Sequence, residues 1–174
     1  DPVADVLAAC DGDELLLGCR PVGSDTLTLA AMGARAAVLH DCGDDQGCVF
    51  QSNGVGWYYS DSYSWGFAPA GQPVRRTSCD TNRDADPQLR MCWHTGGGQI
   101  LEGYRCGDNS LNADAGWERI VYQPTPAPAF HGVLRNMPAD YLTDQQWRVC
   151  WNGTYDGGEP LGHILGPCSA ATLM

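Results

Sequence analysis

Lysine is absent from this chain: all ten of its basic residues are arginine, set against 21 acidic ones. The formal net charge of −11 excludes a nucleic-acid partner, because a phosphate backbone calls for a basic surface. It also disfavours anionic membranes, and simple solubility accounts for the acidity. Long apolar runs are missing as well. No stretch approaches the roughly 20 residues that a bilayer-spanning helix needs, so no membrane insertion is expected. Neither an initiator methionine nor a signal peptide is recognisable, which leads us to expect a processed or excised segment. Catalytic signatures are equally scarce. The four histidines, His40, His94, His131 and His163, are scattered. No serine or cysteine sits in a nucleophile-elbow motif. Gly96-Gly97-Gly98 lacks the lysine of a phosphate loop and reads as a turn. Cysteine pairs of the zinc-finger spacing are missing, and Cys92 with His94 alone is no zinc site. Paired carboxylates for glycoside hydrolysis are a matter of spatial separation. The reading is therefore that the chain is not an enzyme.

What is present is a resemblance between the two ends of the chain. Asp1–Leu16 reads DPVADVLAACDGDELL, and Glu159–Met174 reads EPLGHILGPCSAATLM. Aligned without a gap, Asp1 meets Glu159, Pro2 meets Pro160 and Val3 meets Leu161. Val6 meets Ile164, Leu7 meets Leu165, Cys10 meets Cys168, Leu15 meets Leu173 and Leu16 meets Met174. The offset is constant, 168 − 10 = 158. One full repeat period plus the start of the next is the economical explanation. It also addresses an awkward count, since nine cysteines cannot all pair. If Cys10 and Cys168 are one position in successive copies, a period holds eight: Cys19, Cys42, Cys48, Cys79, Cys92, Cys106, Cys150 and Cys168. The remaining cysteine is then expected to bond across a seam, to the preceding repeat or a neighbouring subunit. Cys10, Cys168, Cys150, Val6, Leu7, Ile164 and Leu165 would form that seam.

Periodicity predicts a short helix over 1–10, with Pro2 suited to its first position and Gly12 beyond its end. Glu14–Cys19 reads as a buried strand, and Thr26–Ala31 alternates like a half-buried one. Arg35–His40 is another short apolar run. Asn53–Gly71 is the most aromatic stretch and reads as two strands, Trp57–Ser60 and Tyr63–Phe67, joined by a polar turn. Further strands are expected at Leu89–His94, Ile100–Cys106, Trp117–Gln123 and Trp147–Trp151. Short strands at regular spacing point to a mainly β, sandwich or barrel-like domain, stapled by disulfides and carrying short helices. The proline-rich run at 123–129 suggests an extended connector. It would divide a large module, 1–122, from a small appended one, 130–174.

Three stretches, LLLGCRPVGSDTLTLAAMGARAAVLHDCG, NGVGWYYSDSYSWGFAPAG and RMCWHTGGGQILEGYRCG, carry a resemblance that covers nearly the whole chain. They are similar to an uncharacterised Cys- and Trp-rich tandem repeat found in predicted secreted proteins, mostly bacterial. The resemblance implies secretion and tandem occurrence; it implies no catalytic residue.

Several constellations are candidates for chemistry. Cys42–Cys48, Cys92–Cys106 and Cys150–Cys168 are the local disulfide pairings, leaving Cys19 and Cys79, though eight cysteines admit many other connectivities. Asp80, Asn82, Asp84 and Asp86 alternate in the manner of hard oxygen ligands for calcium along a wrapping loop. The pattern departs from the helix–loop–helix calcium site: Ala85 replaces its glycine, Met91 its bidentate glutamate, and Arg83 intrudes. A solvated acidic turn is the competing reading. Asp41, Asp44 and Asp45 form a weaker candidate, and no other cofactor is implied. Trp57, Tyr59, Tyr63 and Trp65 would offer rings to a glycan, against the alternative that they pack a core. Asn152-Gly153-Thr154 is a glycosylation sequon.

Abundant cysteine with glycine and proline places the chain in an oxidising compartment, extracellular or at a cell surface. The expected function is a structural repeat, or a subunit of an extracellular fibre or repetitive surface protein. Its partners would be copies of itself, joined head-to-tail through the 1–16 and 159–174 seam, in one polypeptide or as stacked subunits. The alternative is a secreted carbohydrate-binding or adhesive module that uses the 57–67 aromatic hairpin.

Overall fold

The computed structural model describes residues 2–41, 43, 45–75, 86–97, 99–110, 114–124, 132–139 and 147–154. The chain opens with a helix, α1 (Pro2–Ala9). Proline's fixed φ suits the first turn, and Asp5 in that turn complements the helix dipole. Val3, Val6 and Cys10 are buried, at the spacing that puts side chains on one helical face.

The chain beyond α1 is mostly strand. β1 (Glu14–Pro21) and β2 (Thr26–Ala34) lead into a single helical turn, α2 (Arg35–Val38). Then come β3 (Phe50–Ser52), β4 (Val55–Tyr59), β5 (Ser64–Pro69), β6 (Met91–Gly96), β7 (Gln99–Cys106), β8 (Asn109–Ser110), β9 (Trp117–Pro124), β10 (Val133–Pro138) and β11 (Trp147–Thr154). They form two sheets, a five-stranded one ordered β10-β2-β1-β9-β11 and a six-stranded one ordered β3-β4-β5-β6-β7-β8. All pairings between these strands are antiparallel.

The leucine run of β1 explains why that strand lies in the middle of its sheet. Leu15, Leu17 and Cys19 point into the principal core, while Leu16 lies on the opposite face with Ala30, Met32, Ile120 and Tyr122. A strand buried on both faces reads as a continuous apolar run rather than an alternating one. Across the principal core, the six-stranded sheet presents Trp57, Trp65, Phe67, Met91 and Trp93. Register puts them together: Trp57 opposes Phe67, Phe67 opposes Met91, and Trp65 opposes Trp93. Trp65 and Trp93 meet edge-on at 5.1 Å between ring centroids, and Trp57 and Phe67 at 5.7 Å. Such contacts add to the burial of large apolar rings. The Trp65 indole N–H donates to the Val38 carbonyl at 3.2 Å, which ties α2 to the core.

Among the described residues, a disulfide crosses between the sheets, Cys19 of β1 to Cys106 of β7, with Cα atoms 6.1 Å apart. The fold is thus a mainly β, disulfide-stapled sandwich, as expected. The local pairing Cys92–Cys106, with Cys19 and Cys79 left over, is not what the chain does. Met91 stands opposite Cys106, and Cys92 opposite Arg105. Side chains alternate along a strand, so Cys106 turns inward with Met91 while Cys92 turns outward beside Tyr58, Ala68 and Val74. Cys10, Cys48 and Cys92 are disulfide-bonded as well. Cys42, Cys79 and Cys168, and the side chain of Cys150, lie outside the described residues.

The expected division at 123–129 also fails. β10 pairs with β2 and β11 pairs with β9, so both complete the five-stranded sheet instead of forming an appended module. Paired backbone groups tie β10 and β11 into the sheet that β1, β2 and β9 begin.

Candidate functional site: the α1 joint

Of the seam residues, Val6, Leu7 and Cys10 lie where α1 meets the sandwich. Val3 and Val6 are buried in the principal core, and Leu7 packs against it. Arg35, at the start of α2, reaches back to the end of the helix. Its guanidinium donates to the Leu7 carbonyl at 2.6 Å and to the Cys10 carbonyl. The last carbonyls of a helix lack partners within it, and a cation there also meets the negative end of the dipole. Beyond the helix the backbone N–H of Gly12 donates to Gln123 Oε1 at 3.0 Å, and Gln123 Nε2 donates to Asp11 Oδ1 at 3.5 Å. The backbone N–H of Arg35 donates to the Asp13 carbonyl at 2.7 Å. The joint is thereby clasped from β9 and from α2.

Arg35→Met keeps most of the aliphatic stem and removes the charged donor. It is expected to cost about 1.5–3 kcal/mol, the range for hydrogen bonds from a charged group. Hydrogen exchange should then accelerate in α1 well before it does in β1. Equal protection in both elements would show that the clasp contributes nothing locally.

Cys10 is fully buried and bonded within its own chain. This corrects the expectation that Cys10 bonds to a preceding repeat or subunit. α1 brings Cys10 into the core of its own sandwich, and its bond needs no neighbouring copy. Ile164, Leu165 and Cys168, the other seam positions, lie outside the described residues.

The aromatic hairpin is mostly interior. Trp57 and Trp65 are completely buried, which removes them as glycan contacts: the register of β4 on β5 turns both toward the opposing sheet. Tyr59 and Tyr63 are half-buried. Burial, reinforced by Asp61 and then Asp41, pushes the Tyr59 phenol up to about 12 from its ordinary 10. The folded state therefore favours the neutral phenol. Its contribution to stability is complete below about pH 10 and is lost as pH rises toward about 12. Phenolate absorbance during alkaline titration should show late ionisation of Tyr122, whose phenol burial also pushes up, and of Tyr59. Asp61→Asn should move Tyr59 earlier, and an unmoved titration would rule out the Asp61 contribution.

Of the calcium candidates, Asp80, Asn82 and Asp84 lie outside the described residues, as does Asp44 of the weaker set. Asp86 is exposed and sits at φ 51°, ahead of a 3₁₀ turn, Pro87–Leu89. Its carboxylate accepts from Gln72 at 3.5 Å and from Gln88 at 3.4 Å. Among the described residues no group of three or more His, Cys, Asp or Glu is placed to hold a metal ion. Asn152, of the sequon, is exposed on β11, and its Nδ2 donates to Glu118 Oε2 at 3.2 Å. Glu118 also pairs with Arg20 at 2.6 Å. Sequence reasoning missed this Arg20–Glu118–Asn152 group, whose members stand far apart along the chain. The pairing of strands β1, β9 and β11 brings them together.

No family model matches the sequence, and no curated protein or solved structure matches it. Among the described residues, no helix is long and apolar enough to cross a membrane.

Proposed function

We propose that the chain is a structural repeat of an extracellular fibre or repetitive surface protein, with successive copies joined head-to-tail through the 1–16 and 159–174 segments. The observation that supports this most strongly is where the matching residues fall. Val3, Val6, Cys10, Leu15 and Leu16, each with an apolar or cysteine counterpart in 159–174, are all buried in the sandwich. A second set of residues suited to those same places has its use in a second copy. Multiple disulfides suit an oxidising compartment outside the cytosol, and contacts that run head-to-tail without closing build filaments. An acidic surface keeps such copies soluble before assembly.

A secreted polypeptide of three consecutive periods tests the reading. Under the electron microscope it is expected to form a stiff rod of evenly spaced, protease-resistant domains. Domains tumbling independently on loose linkers, or a chain that does not fold, would reject the structural role.

A further inference from the structure

The sequence holds two aspartyl–prolyl bonds, Asp1–Pro2 and Asp86–Pro87. The second lies in the connection from β5 to β6. Asp86 is exposed there, with φ 51° and ψ 50°. That is the left-handed region, which residues other than glycine adopt uncommonly. The following proline compounds the strain, because its ring pushes the preceding residue toward extended backbone. Strain held at one peptide bond is released when that bond breaks.

Three further features bear on the same bond. The Asp86 carbonyl oxygen accepts the Leu89 backbone N–H at 2.9 Å, through the 3₁₀ turn Pro87–Leu89. A donor already in place at that oxygen stabilises the negative charge that gathers there when the carbonyl carbon is attacked. The Asp86 carboxylate accepts from Gln72 Nε2 at 3.5 Å and from Gln88 Nε2 at 3.4 Å. Gln88 follows the proline, so its bond keeps the carboxylate alongside the Asp86–Pro87 linkage. The nitrogen that would leave is proline's. It has no N–H, so its departure costs the fold no donated hydrogen bond. As part of a tertiary amide it also takes up a proton more readily than an ordinary peptide nitrogen.

We infer that Asp86–Pro87 is a self-cleavage site of the folded chain in mild acid. One Asp86 carboxylate oxygen attacks the main-chain carbonyl carbon of the same residue and closes a cyclic anhydride, an attack favoured by proximity. The C–N bond to Pro87 breaks, and its electron pair takes a proton from solvent. Water then opens the anhydride, leaving two carboxyl groups on Asp86 and a secondary amine on Pro87. In sum the chain gains a molecule of water and consumes nothing else.

The two pieces stay together. β5 pairs with β6 across the break, β1 pairs with β9, β2 pairs with β10, and Cys19 is bonded to Cys106. The cut therefore leaves the sandwich assembled while exposing a new chain end at Asp86 and another at Pro87. It goes beyond the fibre reading and does not depend on it.

The test holds the full chain, 1–174, at about pH 4, where carboxylates and the protons that the leaving nitrogen requires coexist. The same chain, reduced and unfolded in urea, is treated in parallel. Reducing electrophoresis and mass spectrometry follow the products. The folded chain is expected to yield fragments 1–86 and 87–174, at least about tenfold faster than the unfolded one. Together the fragments should outweigh the parent by one water, and without reductant they should run as one band. Asp86→Gly removes the carboxylate and suits the left-handed backbone. It should abolish the cut and leave the melting temperature at or above the parent's. Pro87→Ala, which restores an ordinary peptide nitrogen, should also suppress the cut. An intact Asp86–Pro87 bond, a cut no faster in the folded chain than in the unfolded one, or an undiminished cut in Asp86→Gly would overturn the inference.

Discussion

Gly66→Ala is expected to lower stability by about 3 kcal/mol or more, the upper end of what overpacking a well-packed interior costs. Gly66 lies in β5, opposite Cys92 of β6. A Cβ there would run into the Met91 carbonyl oxygen and stand 2.7 Å from both Cys92 Cβ and the Tyr58 hydroxyl. Two of those atoms cannot step aside cheaply, because they belong to the backbone of β6 and the first atom of its side chain. Relief would mean parting β5 from β6 in the middle of the six-stranded sheet, where Trp65 and Trp93 meet. For a domain of this size the loss corresponds to a fall of about 10 °C in melting temperature. Tyr58→Phe is the control. It deletes only the hydroxyl that donates to the Met91 carbonyl at 3.3 Å, and should cost about 1 kcal/mol. Combining the two should recover little of the Gly66→Ala loss, since the Met91 oxygen remains. A Gly66→Ala protein that melts with the parent would refute the close approach of these strands.

The second large effect belongs to the bond between the sheets. Cys19 and Cys106 are separated by 87 residues in sequence, and closing a loop of that order restricts the unfolded chain by about 4–5 kcal/mol in the chain-entropy account. Replacing both with alanine avoids creating a stray thiol and leaves the remaining bridges in place. The double variant should lose about 4 kcal/mol in urea unfolding, with a steeper denaturant dependence, because its unfolded state exposes more surface. Both cysteines are completely buried, so lost packing adds to the entropy. A variant as stable as the parent would show that the facing sheets hold without the staple, and that the core of tryptophans suffices.

Periodicity made much of this architecture legible. Pro2 and Gly12 bracket α1, the run ELLLGC marks a strand buried on both faces, and the aromatic stretch resolves into β4 and β5. Other elements escaped. β3 is only three residues long and two of its side chains are exposed. Its signal was nevertheless present, since Asn53 and Gly54, with φ of 54° and 73°, are the pair favoured in a two-residue hairpin turn. β10 is interrupted by Asn136 at φ 52°, and its polar residues hide the alternation. Two buried arginines escaped as well. Arg90 and Arg119 are no more than 1% exposed, although charged side chains are seldom buried without compensation. Arg119 lies over the Trp93 ring at 5.8 Å and donates to the Leu101 carbonyl. A guanidinium is suited to that combination of stacking and donation.

The amino-acid order by itself determined the β class and pointed to disulfides, because the one is written in local spacing and the other in cysteine content. Only the tertiary structure decided that Cys19 bonds Cys106, that Trp57 and Trp65 point inward, and that β10 and β11 belong to the first sheet. Alternation says that neighbouring side chains part company, but not which of them faces the core. That choice is made by the register of strands far apart in the chain, and by the opposing sheet they pack against.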